Sequence, residues 1–135
     1  MKPFILIIEN NSVNRELAGS LLETEGMDVR YASDAESGLT ILTKIRPALI
    51  LVALDLIKVN GLILTQVLKN DPDTKNLSIL ALVDLNSNSP DFFDRSLMVF
   101  DGYIPTPLDK ESFSKTIKYF LKQQVTTKSK VKEIF

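Results

Sequence analysis

The chain of 135 residues contains no cysteine, no histidine and no tryptophan. Without cysteine there is neither a disulfide framework nor a thiolate metal site. Without histidine there is no imidazole general base, no His–metal ligation and no phosphohistidine on this chain. Charge of one sign is missing as well: 16 Lys and Arg face 17 Asp and Glu, for a net charge of −1. Such a chain has no long-range field to draw in nucleic acid or an anionic membrane. No apolar run approaches the roughly 20 residues of a membrane-crossing helix, and the opening MKPFILIIEN is too short and acidic for a secretory signal. These absences fit a cytoplasmic setting. The length is that of one domain with a genuine core.

What is present is a regular alternation. Four short apolar runs, FILII (4–8), VRYA (29–32), ALILVAL (48–54) and LSILALV (77–83), predict strands, and Tyr103-Ile104 predicts a brief fifth. Three of the runs are continuous rather than alternating, as in strands covered on both faces. Helical spacing fills the gaps. Residues 12–25 put Leu17, Leu21 and Leu22 on one stripe, and Gly26 offers a positive-φ stop. Ser33-Asp-Ala-Glu36 reads as a capping box for a helix to about Lys44, with Leu39 and Leu42 inward. Asn60 caps 61–69, with Ile63, Leu64, Val67 and Leu68 inward. Ser89-Pro90 opens a helix near 90–98, and Asp109 caps 110–123, whose apolar face is Phe113, Ile117, Phe120 and Leu121. The segment VTTKSKVKEIF reads as a frayed tail or linker stub over 125–135, leaving 1–124 as the domain.

Five β-α repeats predict a doubly wound, five-stranded parallel sheet with helices on both faces. Ligands of such sheets bind at the carboxyl ends of the strands. The residues there are Glu9 and Asn10, Ala53 to Asp55, Val83 and Asp84, and Pro105 to Pro107. An alanine therefore stands at the tip of the central strand, where chemistry usually sits.

Taken in order and spacing, these pieces resemble the receiver domain of bacterial two-component response regulators, over about residues 4–124. ILIIENNSVNRELAGSLLETEGMDV is similar to the first β-α-β of receivers, and RPALILVALDLIKVNGL to their third strand and loop, with Gly61 eight residues after Ala53. LKNDPDTKNLSILAL and DGYIPTPLDKESF are similar to the fourth and fifth strands. The resemblance implies a flavodoxin-like (βα)5 fold and phosphoryl transfer from a partner's phosphohistidine to an aspartate at the end of strand three. It implies an acidic pair for Mg²⁺, a Ser or Thr after strand four, and a lysine before a usually cis proline. Carried over, the nucleophile position is Ala53, the acidic pair is Glu9 and Asn10, the hydroxyl position is Val83 and the lysine position is Thr106. Every polar role is altered, and only Glu9 keeps its charge.

These changes differ in kind. A lost lysine contact is worth about 1.5–3 kcal/mol, which slows chemistry without abolishing it. The neutral Asn10 weakens a hard-cation site that depends on anionic oxygens. A methyl group, by contrast, cannot attack phosphorus at all. The expectation is a degenerate pseudo-receiver, not an enzyme and with no cofactor, acting by protein–protein contact with a sensor kinase, another receiver or an output domain. The alternative makes Asp55 the phosphoacceptor, which requires a frame displaced by two residues and breaks the spacing to Gly61. Glu9, Asp55 and Asp84 read mainly as wet carboxylates, with Glu9 and Asp55 weak candidates for Mg²⁺. With Val83 in place of a hydroxyl, Tyr103, at the family's switch-aromatic position, is expected to hold one rotamer; the simpler reading is a partly exposed aromatic. A cis bond is expected at Thr106-Pro107, and Pro105 is expected to stiffen that loop. Leu97 to Phe100 read as a helix end tucked against the sheet or, alternatively, as a partner site. Helix 110–123 offers Lys115, Lys118 and Lys122 to solvent or to a partner. A nucleotide-binding reading lacks support, since ENNSVNRE and no glycine-rich loop follows strand one. DNA binding lacks a helix-turn-helix and a basic stripe.

Overall fold

Two strands are apolar along their whole length, and a third up to its last residue, because both of their faces are covered. The computed structural model describes residues 3–54, 56, 60–84 and 97–134, of which Leu97 and 124–134 are described in backbone only. The elements are β1 (Phe4–Ile8), α1 (Ser12–Thr24), β2 (Asp28–Ala32), α2 (Ala35–Leu42), β3 (Leu49–Ala53), α3 (Gly61–Asn70), β4 (Ile79–Asp84), a 3-10 turn (Leu97–Val99), β5 (Gly102–Thr106) and α4 (Lys110–Ile134). The sheet is parallel throughout, in the order β2-β1-β3-β4-β5. Along β1, Phe4, Leu6 and Ile8 join a cluster with Leu42, Leu64, Leu68 and Phe100, which covers one face with α2 and α3. Ile5 and Ile7 join the opposite cluster with Ala18, Leu22, Phe113 and Ile117, from α1 and α4. β3 and β4 split in the same way, so period-two alternation is present but apolar on both sides. This is the doubly wound architecture. Chain order reverses between β1 and β3, which places the crevice at their carboxyl ends.

Local chemistry sets the helix ends. Asn11, Asn60 and Asp109 each accept an amide hydrogen bond three residues on, from Asn14, Ile63 and Ser112. Gly26 stops α1 with φ at 83°, a conformation that costs glycine no Cβ strain. The cap of α2 is Asp34 rather than Ser33: its carboxylate accepts from the Ser37 amide, and its extended backbone suits the N-cap position.

The inward faces match the apolar stripes of the sequence in part: Leu22, Leu42, Leu64 and Leu68 are buried as expected. Leu17, Leu39, Ile63 and Val67 are exposed, while Gly19, Gly38 and Thr65 are buried. The physical reason is close approach, because small residues let the helices settle onto the sheet. At Gly38, for example, a Cβ would lie 2.6 Å from the Ile8 side chain. α4 runs to Ile134 rather than ending at 123, and 110–134 contains neither glycine nor proline to stop it. The helix predicted near 90–98 falls outside the described residues up to 96, and 97–99 form a 3-10 turn. Pro105 lies within β5, opposite Val83, and not in the following loop. Among the described residues no helix is long and apolar enough to cross a membrane.

Candidate functional site

The strand tips bring Glu9, Asn10, Ala53, Val83, Asp84 and Thr106 to one end of the sheet. Asp55 lies outside the described residues. Glu9 follows β1 directly, and its amide extends the ladder by donating to the Ala32 carbonyl at 3.0 Å. Only 4% exposed, it is not the wet carboxylate expected from sequence. Its Oε1 accepts from the Asn11 amide at 2.9 Å, and its carbonyl accepts from Arg15 Nη1 at 2.9 Å. The N-terminal end of α1 and its cap therefore fold back onto Glu9. A buried carboxylate needs such donors, since leaving it unpaired costs several kcal/mol.

Ala53 ends β3 and is 5% exposed. Gly61 fixes its place. A Cβ at Gly61 would lie 2.2 Å from the Ala53 carbonyl oxygen, and the Gly61 amide donates to the Leu54 carbonyl at 3.1 Å. Helix α3 can thus start against the strand tip only with glycine there. The eight-residue spacing has a steric cause, and it marks Ala53 as the tip residue in an undisplaced frame.

On the other side of the crevice Val83 is fully buried. Beside it Thr106, 7% exposed, turns its hydroxyl to the Val83 carbonyl at 3.4 Å, a long bond along the sheet. The Thr106–Pro107 peptide is cis, as expected. Asp84 is half-buried at the tip of β4. Tyr103 is 53% exposed, and Met98 on the 3-10 turn is 83% exposed, whereas Phe100 tucks into the core.

The family's Mg²⁺ finds a poor donor set in these side chains. A hard dication wants several anionic oxygens. Asn10 is neutral, Ala53 has no donor, and Oε1 of Glu9 already takes the Asn11 amide. Among the described residues no three carboxylates come together as a cation site. The described residues do not fit the ion as the family holds it.

Two groups outside the crevice depart from their ordinary values. Burial, and then the hydrogen bond to the Glu23 carboxylate, push the Tyr31 phenol up from its ordinary value. The Ser112 backbone amide holds the Asp109 carboxyl below its ordinary range. Sequence reading missed Arg15 as a partner of Glu9, and the node in which Asp101 accepts from both Lys69 and the Ile79 amide at 2.7 Å. It also missed Thr74, whose hydroxyl donates to the Leu68 carbonyl, and the buried Thr65. Lys69 and Asp101 are 32 residues apart, so no local signal could join them. Arg15 was within reach, because a residue in the first turn of α1 folds back toward the chain just before the helix.

Residues 5–118 match the response regulator receiver domain family. The chain belongs to that family. This receiver is 30% identical over 123 residues to the DNA-binding dual master transcriptional regulator RpaA of Synechocystis, covering 90% of this chain but only 50% of RpaA. It is 27% identical over 121 residues to the polar-differentiation response regulator DivK of Brucella anthropi, covering 90% of this chain and 98% of DivK. A CheY-like receiver domain protein from Methanospirillum hungatei shares the fold, with a TM-score of 0.83 at 22% identity over 94% of this chain and 99% of that one. The receiver therefore spans about half of one relative and nearly all of the other. Receiver domains serve two-component signalling, meeting kinases, other regulators or output domains.

Proposed function

We propose that this receiver signals without accepting a phosphoryl group, through protein–protein contact. The observation that supports the reading is the buried methyl of Ala53 at the tip of β3, held in frame by Gly61. A methyl group offers no lone pair, so the covalent step has no acceptor at the family's position. Val83 supports the same reading. It has nearly threonine's shape without the hydroxyl, so packing persists while the contact to a phosphoryl oxygen is lost. Binding of Mg²⁺ as a cofactor has no part in this function, and the working compartment is the cytoplasm.

The contact surface is the side that carries Met98, Tyr103 and Tyr119, three large side chains each more than half exposed on neighbouring segments. The occupants are proteins of the signalling apparatus: a sensor kinase, another receiver or an output domain. RpaA is named as DNA-binding, but a net charge of −1 on this chain gives DNA no attraction, and DNA contact forms no part of the reading. The test is the amide spectrum of the labelled protein with Mg²⁺ and beryllofluoride, a phosphoryl mimic. The expected result is unchanged signals at Tyr103 and on α4. Shifts propagating from β3 to Tyr103 would overturn the proposal.

A further inference from the structure

The two edges of the sheet are β2 and β5. They differ as templates for a further strand. β5 carries Pro105, which has no amide to offer, whereas β2 has no proline and exposes Asp28, Arg30 and Tyr31. One bond fixes the direction of the main chain in β2. The Glu9 amide donates to the Ala32 carbonyl, so Ala32 faces β1 and, by the two-residue period, Arg30 and Asp28 do so too. Val29 and Tyr31 therefore direct their amides and carbonyls outward, where among the described residues no strand lies. Side chains alternate as well. Val29 packs on the cluster under α1 and Tyr31 reaches Glu23 of that helix, while Arg30 lies on the opposite face, 6.0 Å from the centre of the Phe4 ring.

The run Met27-Asp28-Val29-Arg30-Tyr31 is complementary to its own reverse. Laid antiparallel on a copy of itself about Val29, it sets Val29 against Val29, Met27 against Tyr31 and Asp28 against Arg30. The outward main chain of Val29 makes that residue a hydrogen-bonded pair. Asp28 and Arg30 then fall in the adjacent non-hydrogen-bonded pair, where Cα atoms stand about 4.5 Å apart and side chains are closest. Opposite charges meet on one face, and on the other the Met27 thioether meets the Tyr31 ring. Asp28 is needed only as a charge opposite Arg30, whatever it contacts within its own chain. A centre one residue on would set arginine against arginine, so charge selects the register.

We infer that β2 pairs antiparallel with β2 of a second copy about a two-fold axis at Val29, joining two five-stranded sheets into one. The interface is isologous and built by strand addition, and it is independent of how the crevice works.

Sedimentation equilibrium of the intact chain is expected to show a concentration-dependent species of double the 15.1 kDa of one chain. Arg30→Asp sets carboxylate against carboxylate and is expected to raise the dissociation constant by about tenfold or more. Asp28→Arg together with Arg30→Asp exchanges the charges and is expected to restore the dimer. An intact chain that stays monomeric up to about 0.5 mM overturns the inference. So does a dimer that Arg30→Asp leaves unchanged, or one that the double exchange does not restore. Should the variants fail to fold, amide exchange of the intact chain decides. Protection of the Val29 and Tyr31 amides is expected to rise with protein concentration, and protection that ignores concentration overturns the inference.

Discussion

Below its tip, β3 is a strand like its neighbours: Leu49 to Val52 are fully buried and divide between the two core clusters. At the tip the same strand carries the receiver's chemistry elsewhere in the family, and here it carries a methyl. The steric frame around that tip is intact, with Gly61 against the Ala53 carbonyl and a cis peptide before Pro107. The difference teaches that frame and chemistry are separable. Gly61 answers to packing, since it lets α3 start against the strand tip, whereas the polar groups answer to the reaction.

The comparison breaks most visibly in the frame. Phe113 is 1% exposed in the cluster that α4 presses onto the sheet, and Phe113→Ala should cost about 3–5 kcal/mol in a denaturant titration. Gly61→Ala puts a Cβ at 2.2 Å from a backbone oxygen that cannot swing away. It should cost about 1–3 kcal/mol, measurable as a lowered melting temperature. Asn60→Ala removes only the cap of α3 and should cost about 1 kcal/mol by the same measurement.

At the tip the expected effects are smaller. Thr106→Val loses a hydrogen bond of 3.4 Å and should change stability by less than about 1 kcal/mol. Away from both regions, Tyr31→Phe sharpens the contrast through pH. The phenol's raised value means that its contribution is fully present below its ordinary value of 10.0 and is lost as pH rises through the folded-state value. The gap between the two proteins should therefore be constant near neutrality and narrow in alkali, read from melting curves across that range.

The same division governs what the sequence reveals. The frame was largely legible: continuous apolar runs announced buried parallel strands, and Asn60, Asp109 and Gly26 announced helix ends through chemistry that acts within three residues. Helix faces were less legible. Leu17, Ile63 and Val67 look inward-facing by type, yet contact with the sheet goes to Ala18, Gly19 and Thr65, because distance between layers and not hydrophobicity selects those positions. In the crevice, residue types were readable but their partners were not. Nothing in the spacing told that Glu9 would be buried under Asn11 and Arg15, or that Thr106 would turn along the sheet to Val83. Such contacts depend on side-chain direction, which the fold sets and the sequence only permits.

The central claim concerns the acceptor, and the mass of the intact chain reads it directly. After incubation with a small-molecule phosphodonor and Mg²⁺, the account expects a single species of unchanged mass. A second species heavier by one phosphoryl group, carried on Asp55 or on any other carboxylate, would contradict it.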